Sequence, residues 1–112
     1  MKIEEIDKLV ILTVKHLPFS EVFTNLEKEL TQGKGKAKNV ILDLSKLTEL
    51  KLEDVLTFQK LSDTHTEEKC SFVIVSDAIN HNDLPSSLHV TPTLPEAKAI
   101  IAMEEIERAL GF

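Results

Sequence analysis

Two adjacent carboxylates, Glu53 and Asp54, open a helical pattern directly behind a buried-strand pattern in the stretch NVILDLSKLTELKLEDVLTF, residues 39–58. Such a junction turns unpaired backbone amides and fresh side chains toward solvent, so small α/β domains often work there. An acidic pair in a first helical turn meets free N–H groups and the positive end of the helix dipole, an interaction worth ~0.3–1 kcal/mol on an exposed surface. The pair therefore either stabilises the helix start or belongs to a recognition surface made with Thr48, Glu49, Lys51 and Leu52. In the second case Leu52 is the apolar anchor if it projects outward, and the charges set partner choice. Leu52 fits the buried stripe of the helix equally well.

Other reactive side chains are scattered. Cys70 precedes the apolar run SFVIV, a setting in which thiols are inert unless an electropositive neighbour lowers their pKa, and only Lys69 stands beside it. Of the four histidines, His16, His65, His81 and His89, only the span holding Asp77, His81, Asp83 and His89 gathers several metal-type ligands. It has neither the i, i+4 spacing of a zinc protease nor the frame of a calcium loop, and turn formation explains the same residues. DTHTEE at 63–68 has a single His where two-metal hydrolases need several ligands, so an accessory role beside an enzyme is the most it supports. Glu67-Glu68 and Glu104-Glu105 are neighbours in sequence and do not face each other on a helix. GKGKAKN at 33–39 follows a helical pattern and lacks the Gly-Lys-Ser/Thr ending of a phosphate loop; it reads as a solvated connection. No catalytic group, metal ligand set or cofactor site is assigned from these residues, and the chain is not expected to be an enzyme.

The elements that would hold the junction follow from periodicity. LVILTV at 9–14 is a strand covered on both faces, and Met1–Glu5 can pair with it across a short hairpin at Ile6-Asp7-Lys8. Phe19, Val22, Phe23, Leu26 and Leu30 form one helical stripe that Gly33 can end. VILDL at 40–44 and FVIV at 72–75 flank a helix built on Leu52, Val55, Leu56, Phe58 and Leu61, a unit that predicts parallel strands. After Asp77 the turn-forming residues leave room only for a short helix. Leu88–Thr91 suits a last strand stopped by Pro92, and Thr93 with Glu96 caps a closing helix carrying Ala97, Ile100, Ile101, Ile106 and Leu110. The expected order is β-β-α-β-α-β-(short or absent α)-β-α, one α/β domain over residues 1–112 with a mixed four- to five-stranded sheet packed with helices.

Composition narrows the functional classes. The 112 residues are 42% hydrophobic, enough for one core. Residues 1–38 carry net charge +1 and residues 39–112 carry −7, for a total of −6. An acidic chain with no Tyr, no Trp and five Phe lacks the basic groove and stacking platforms of nucleic-acid binders. A lone cysteine forms no internal disulfide, which fits the cytoplasm, and no apolar run approaches the ~20 residues that span a bilayer. No membrane partner is expected, and the chain is expected to be a monomer or weak dimer.

In element order, and in the residues NVILDLSKLTEL, SFVIVSD and VTPTLPEAKAIIAMEEIERAL, the chain resembles the sulphate-transporter and anti-sigma-factor-antagonist (STAS) domain. The resemblance implies a STAS-like fold and a bacterial, cytoplasmic, non-enzymatic regulator whose protein partner is an anti-sigma factor or kinase-like regulator. In regulatory members the turn after the VILDL-like strand commonly reads Asp-Ser-Ser/Thr-Gly, and its third residue is phosphorylated. Aligned on Leu47 and Leu50, Lys51 falls on the Asp, Leu52 on the Ser, Glu53 on the phosphoacceptor and Asp54 on the Gly. All four depart, so the resemblance implies a member without the serine switch, with Glu53 a partial imitation of a phosphorylated residue. STAS-like domains of transport proteins imply an alternative, a small anion or nucleotide on the amides of the helix start, although the carboxylates at 53 and 54 would repel it.

Overall fold

A computed structural model describes residues 1–15 and 19–111, with the side chains of Phe19 and His81 outside that description. The chain is α/β, and its five strands run in the sheet in the order in which they occur in the sequence. Strand β1 (Lys2–Ile6) pairs antiparallel with β2 (Leu9–Thr13), and β3 (Asn39–Asp43), β4 (Phe72–Val75) and β5 (His89–Thr91) follow in parallel. The hairpin needs only Asp7 and Lys8 between its strands, and Asp7 takes the positive φ of 54° that so tight a reversal demands. An aspartate tolerates that conformation better than most residues, which is why the hairpin forms without the glycine that would have announced it.

Strand alternation divides the interior into two cores. Val10, Leu12, Val40, Leu42, Phe72 and Ile74 point to one face, where α1 (Phe19–Thr31), α2 (Leu52–Leu56) and α3 (Gln59–Glu67) cover them. Ile11, Ile41, Val73 and Val75 point to the other face, where α4 (Leu94–Ala109) supplies Ala97 and Ile101. Residues 9–14 and 40–44 are thus covered on both faces, as their continuous apolar runs require. Val22, Leu26 and Leu30 are the buried members of the α1 stripe, Phe23 is partly buried, and the side chain of Phe19 lies outside the described residues.

Three expectations need correction. The single helix expected on Leu52, Val55, Leu56, Phe58 and Leu61 is two helices separated at Thr57 and Phe58. The Thr57 hydroxyl donates to the Asp54 carbonyl at 2.6 Å and the Phe58 amide to Val55 at 3.1 Å, so the turn tightens to a three-residue spacing before α3 begins. Phe58 is fully buried there, with its ring 6.2 Å from that of Phe23. Leu56, expected on the buried stripe, is 36% exposed.

The closing helix buries fewer of its apolar residues than expected. Ala97 and Ile101 are buried and Ile100 is partly buried, while Ile106 and Leu110 are 60% and 67% exposed. At ~100° per residue, the sheet-facing line through 97 and 101 continues to Glu104 and Arg108, which puts 106 and 110 on the far side. Gly33 likewise does not end α1 by adopting a left-handed turn: its φ is not positive, and its amide donates to the Lys28 and Glu29 carbonyls as the helix unwinds through residues 32–38.

Candidate functional site

The β3–α2 junction is held from below by leucines. Leu47 and Leu50 are both buried in the larger core, so the segment between them is pulled against the protein while the residues around them face outward. Thr48, Glu49, Lys51 and Glu53 are exposed, and Leu52 and Asp54 are half-buried. Leu52 packs against the larger core, which places it on the inward side of the helix start. The outward surface is therefore a polar ridge of Thr48, Glu49, Lys51 and Glu53, with Leu52 at its base.

Asp54 has a defined task within this ridge. Its Oδ2 accepts the Lys51 amide at 3.0 Å, while the Asp54 amide donates to the Lys51 carbonyl at 3.1 Å. This is one half of a capping box; a lysine has no acceptor with which to complete it. The carboxylate thus occupies a backbone donor that an incoming anion would need. Upstream, Asp43 Oδ1 accepts the Ser45 amide at 3.0 Å and fixes how the chain leaves β3.

The remaining titratable groups lie elsewhere. His89 Nε2 and Glu104 Oε2 are 3.2 Å apart, joining β5 to α4. Their hydrogen bond holds the His89 pKa above its ordinary value and that of Glu104 below it, with burial opposing both. His65 is buried and bonds through Nε2 to the Lys38 carbonyl. A carbonyl can only accept, so the neutral ring carries its proton on Nε2. Burial lowers the His65 pKa, and that bond only partly opposes the shift. Burial raises the Cys70 pKa against the charge of Arg108, and its Sγ lies 3.7 Å from the Glu68 carbonyl oxygen. The thiol is therefore held away from its nucleophilic form.

Of the histidine-containing loop, His89 is committed to Glu104, the His81 side chain and the whole of His16 lie outside the described residues, and Asp77 and Asp83 are exposed. Among the described residues no three His, Cys, Asp or Glu side chains are grouped to hold a metal, and no helix is long and apolar enough to cross a membrane.

Asn39, at the start of β3, is a buried polar side chain that residue type alone does not single out. Its Oδ1 accepts the Ser71 amide at 2.8 Å and Arg108 at 3.2 Å, and its Nδ2 donates to Glu105. The available signal was an asparagine opening a strand whose remaining residues are all apolar or Asp43. It passes for a turn residue until the parallel partner strand supplies a donor. Compared with known proteins, the chain matches no family model and no curated sequence.

Proposed function

We propose that this protein is a STAS-like regulatory module of the bacterial cytoplasm that acts by docking the β3–α2 junction against another protein, without catalysis and without serine phosphorylation. The carrying observation is the ridge itself. Thr48, Glu49, Lys51 and Glu53 face solvent together because Leu47 and Leu50 are buried between and beside them. Support also comes from the element order, a leading antiparallel hairpin followed by parallel strands alternating with helices, which is the order expected of the STAS resemblance.

The regulatory state is fixed by residue type. Residues 51–54 contain no hydroxyl, and Glu53 presents one negative charge on two oxygens where a phosphorylated acceptor carries about −1.5 to −2 on three. The protein therefore behaves as a permanent, partial equivalent of one phosphorylation state, and its partner is an anti-sigma factor or kinase-like regulator that reads that charge. An anion on the α2 amides is the weaker reading, because Asp54 already takes the Lys51 amide.

The test is affinity capture from the native cell with the intact protein and with the Glu53→Gln, Asp54→Asn variant. A specific partner lost only with the variant supports the docking surface. Equal capture by both rejects the junction as the interface.

A further inference from the structure

At the opposite end of the sheet, where β2, β3 and β4 begin, lies a cavity of ≈ 380 Å³ lined by Lys8, Lys38, Asn39, Lys69, Cys70 and Arg108. Four basic residues line it, with Glu105 as the one lining carboxylate, in a chain of net charge −6. They come from four separate places: the hairpin turn, the α1–β3 loop, the α3–β4 turn and the last turn of α4. Lys38 is neutralised by Glu5 at 2.7 Å, but among the described residues Lys8 and Lys69 form no ion pair.

The walls of this cavity are held in place. Asn39 Oδ1 fixes the Arg108 guanidinium at 3.2 Å, and the His65 ring holds the carbonyl of Lys38. Lys69 occupies the left-handed position that ends α3, with φ of 64°; its amide donates to Thr66 at 2.9 Å, and the Cys70 amide donates to His65 at 3.2 Å. That pair of bonds is the helix ending in which glycine is the usual residue, because a side chain there is strained. Here a lysine stands in it, on the wall of the same cavity.

We propose that this cavity is a binding site for a small, multiply charged oxyanion of the phosphate-monoester class, recognised by Lys8, Lys69 and Arg108. Cations on the wall of one cavity repel one another, and an anion bound there offsets the repulsion while supplying acceptors for their N–H groups. The site lies at the opposite end of the parallel strands from the β3–α2 junction, so it stands whether or not that junction docks a partner.

The experiment is titration of the full chain with inorganic phosphate at constant ionic strength, followed by backbone amide NMR and by the rate of Cys70 alkylation with iodoacetamide. Saturable shifts confined to residues 8, 37–39, 69–71 and 105–108, with slower alkylation, are expected. Lys69→Gly relieves the left-handed backbone, so its melting temperature should be at or above the parent's while phosphate affinity falls about tenfold, the loss of one charge-assisted contact. Glu105→Gln, which removes the carboxylate of the lining, should tighten binding. Shifts that never saturate, shifts centred on residues 48–54, or an affinity unchanged by Lys69→Gly would overturn the proposal; the last would leave Lys69 as a helix-end charge only.

Discussion

His65 reaches 27 residues back along the chain to donate its ring N–H to the main-chain carbonyl of Lys38, tying α3 to the loop that feeds β3. The bond is made by a buried imidazole that is more easily kept neutral than charged. It makes one buried side chain responsible both for a long-range tether and for part of the protein's acid sensitivity.

Replacing His65 by Leu should cost about 1–3 kcal/mol near pH 8, because it leaves a part-buried carbonyl without its donor. The folded-state pKa of His65 lies below 6.5, so as pH falls below that value the unfolded chain takes up a proton that the folded one refuses, and stability declines. The variant escapes that decline. Urea denaturation should therefore show the gap between parent and variant narrowing as pH is lowered from about 8 to about 5; a gap that widens would mean the ring is charged in the fold.

The His89–Glu104 pair should have the opposite dependence. The His89 pKa is raised, so its contribution is complete below 6.5 and is lost as pH rises through the folded value; that of Glu104 is lowered, so its contribution is present above 4.5 and is lost as pH falls. Glu104→Gln should consequently destabilise more at about pH 5.5 than at about pH 8. Equal losses at the two pH values would reduce the pair to a neutral contact.

Ile41 is fully buried in β3 beneath α4, with neighbours on both sides in the sheet. An aspartate there has no partner and costs several kcal/mol, or else escapes ionisation by a large pKa shift. Ile41→Asp should abolish the cooperative thermal transition. A melt close to the parent midpoint would show that β3 is not the centre of the sheet.

The two acids of the junction should separate by role. Asp54→Ala removes the acceptor of the Lys51 amide and should cost ~0.5–2 kcal/mol, whereas exposed Glu53→Gln should cost no more than ~1 kcal/mol. If Glu53 belongs to an interface charge pair, its loss weakens partner binding by ~2–5 kcal/mol. Calorimetry on a captured partner, set beside thermal melts of both variants, measures the two effects independently.

Periodicity could place most of this framework because strands covered on both faces and one-sided helices leave strong patterns. LVILTV, VILDL and FVIV could hardly be anything but interior strands, and Thr93 marked the start of α4, where its side chain accepts the Glu96 amide at 3.3 Å. The break at Thr57 was hidden, because Val55, Phe58 and Leu61 keep a helical spacing across it and only the Thr57 hydroxyl disturbs the ladder. Ile106 and Leu110 misled because hydrophobicity alone does not say which side of a helix meets the sheet. The exposed ridge was legible as residue types flanked by leucines. The Lys8, Lys69 and Arg108 cluster was not, since its members are dozens of residues apart and only the parallel topology brings the starts of three strands to one edge.

That the strands lie side by side in the order of synthesis has a bearing on how the molecule is assembled. No later strand must be threaded between two that have already paired, so each new segment can be added to an edge as it becomes available. The hairpin of β1 and β2 supplies the first template, and β3, β4 and β5 extend it one position at a time. Each addition closes only the crossover between neighbouring strands, from Leu9 to Asn39, from Val40 to Phe72 and from Val73 to His89, and no longer loop. A growing chain would then add strands at one edge only, with β1 at the other throughout, and the last to occupy the growing edge, β5, has only three residues and is followed at once by Pro92, a poor template for further growth.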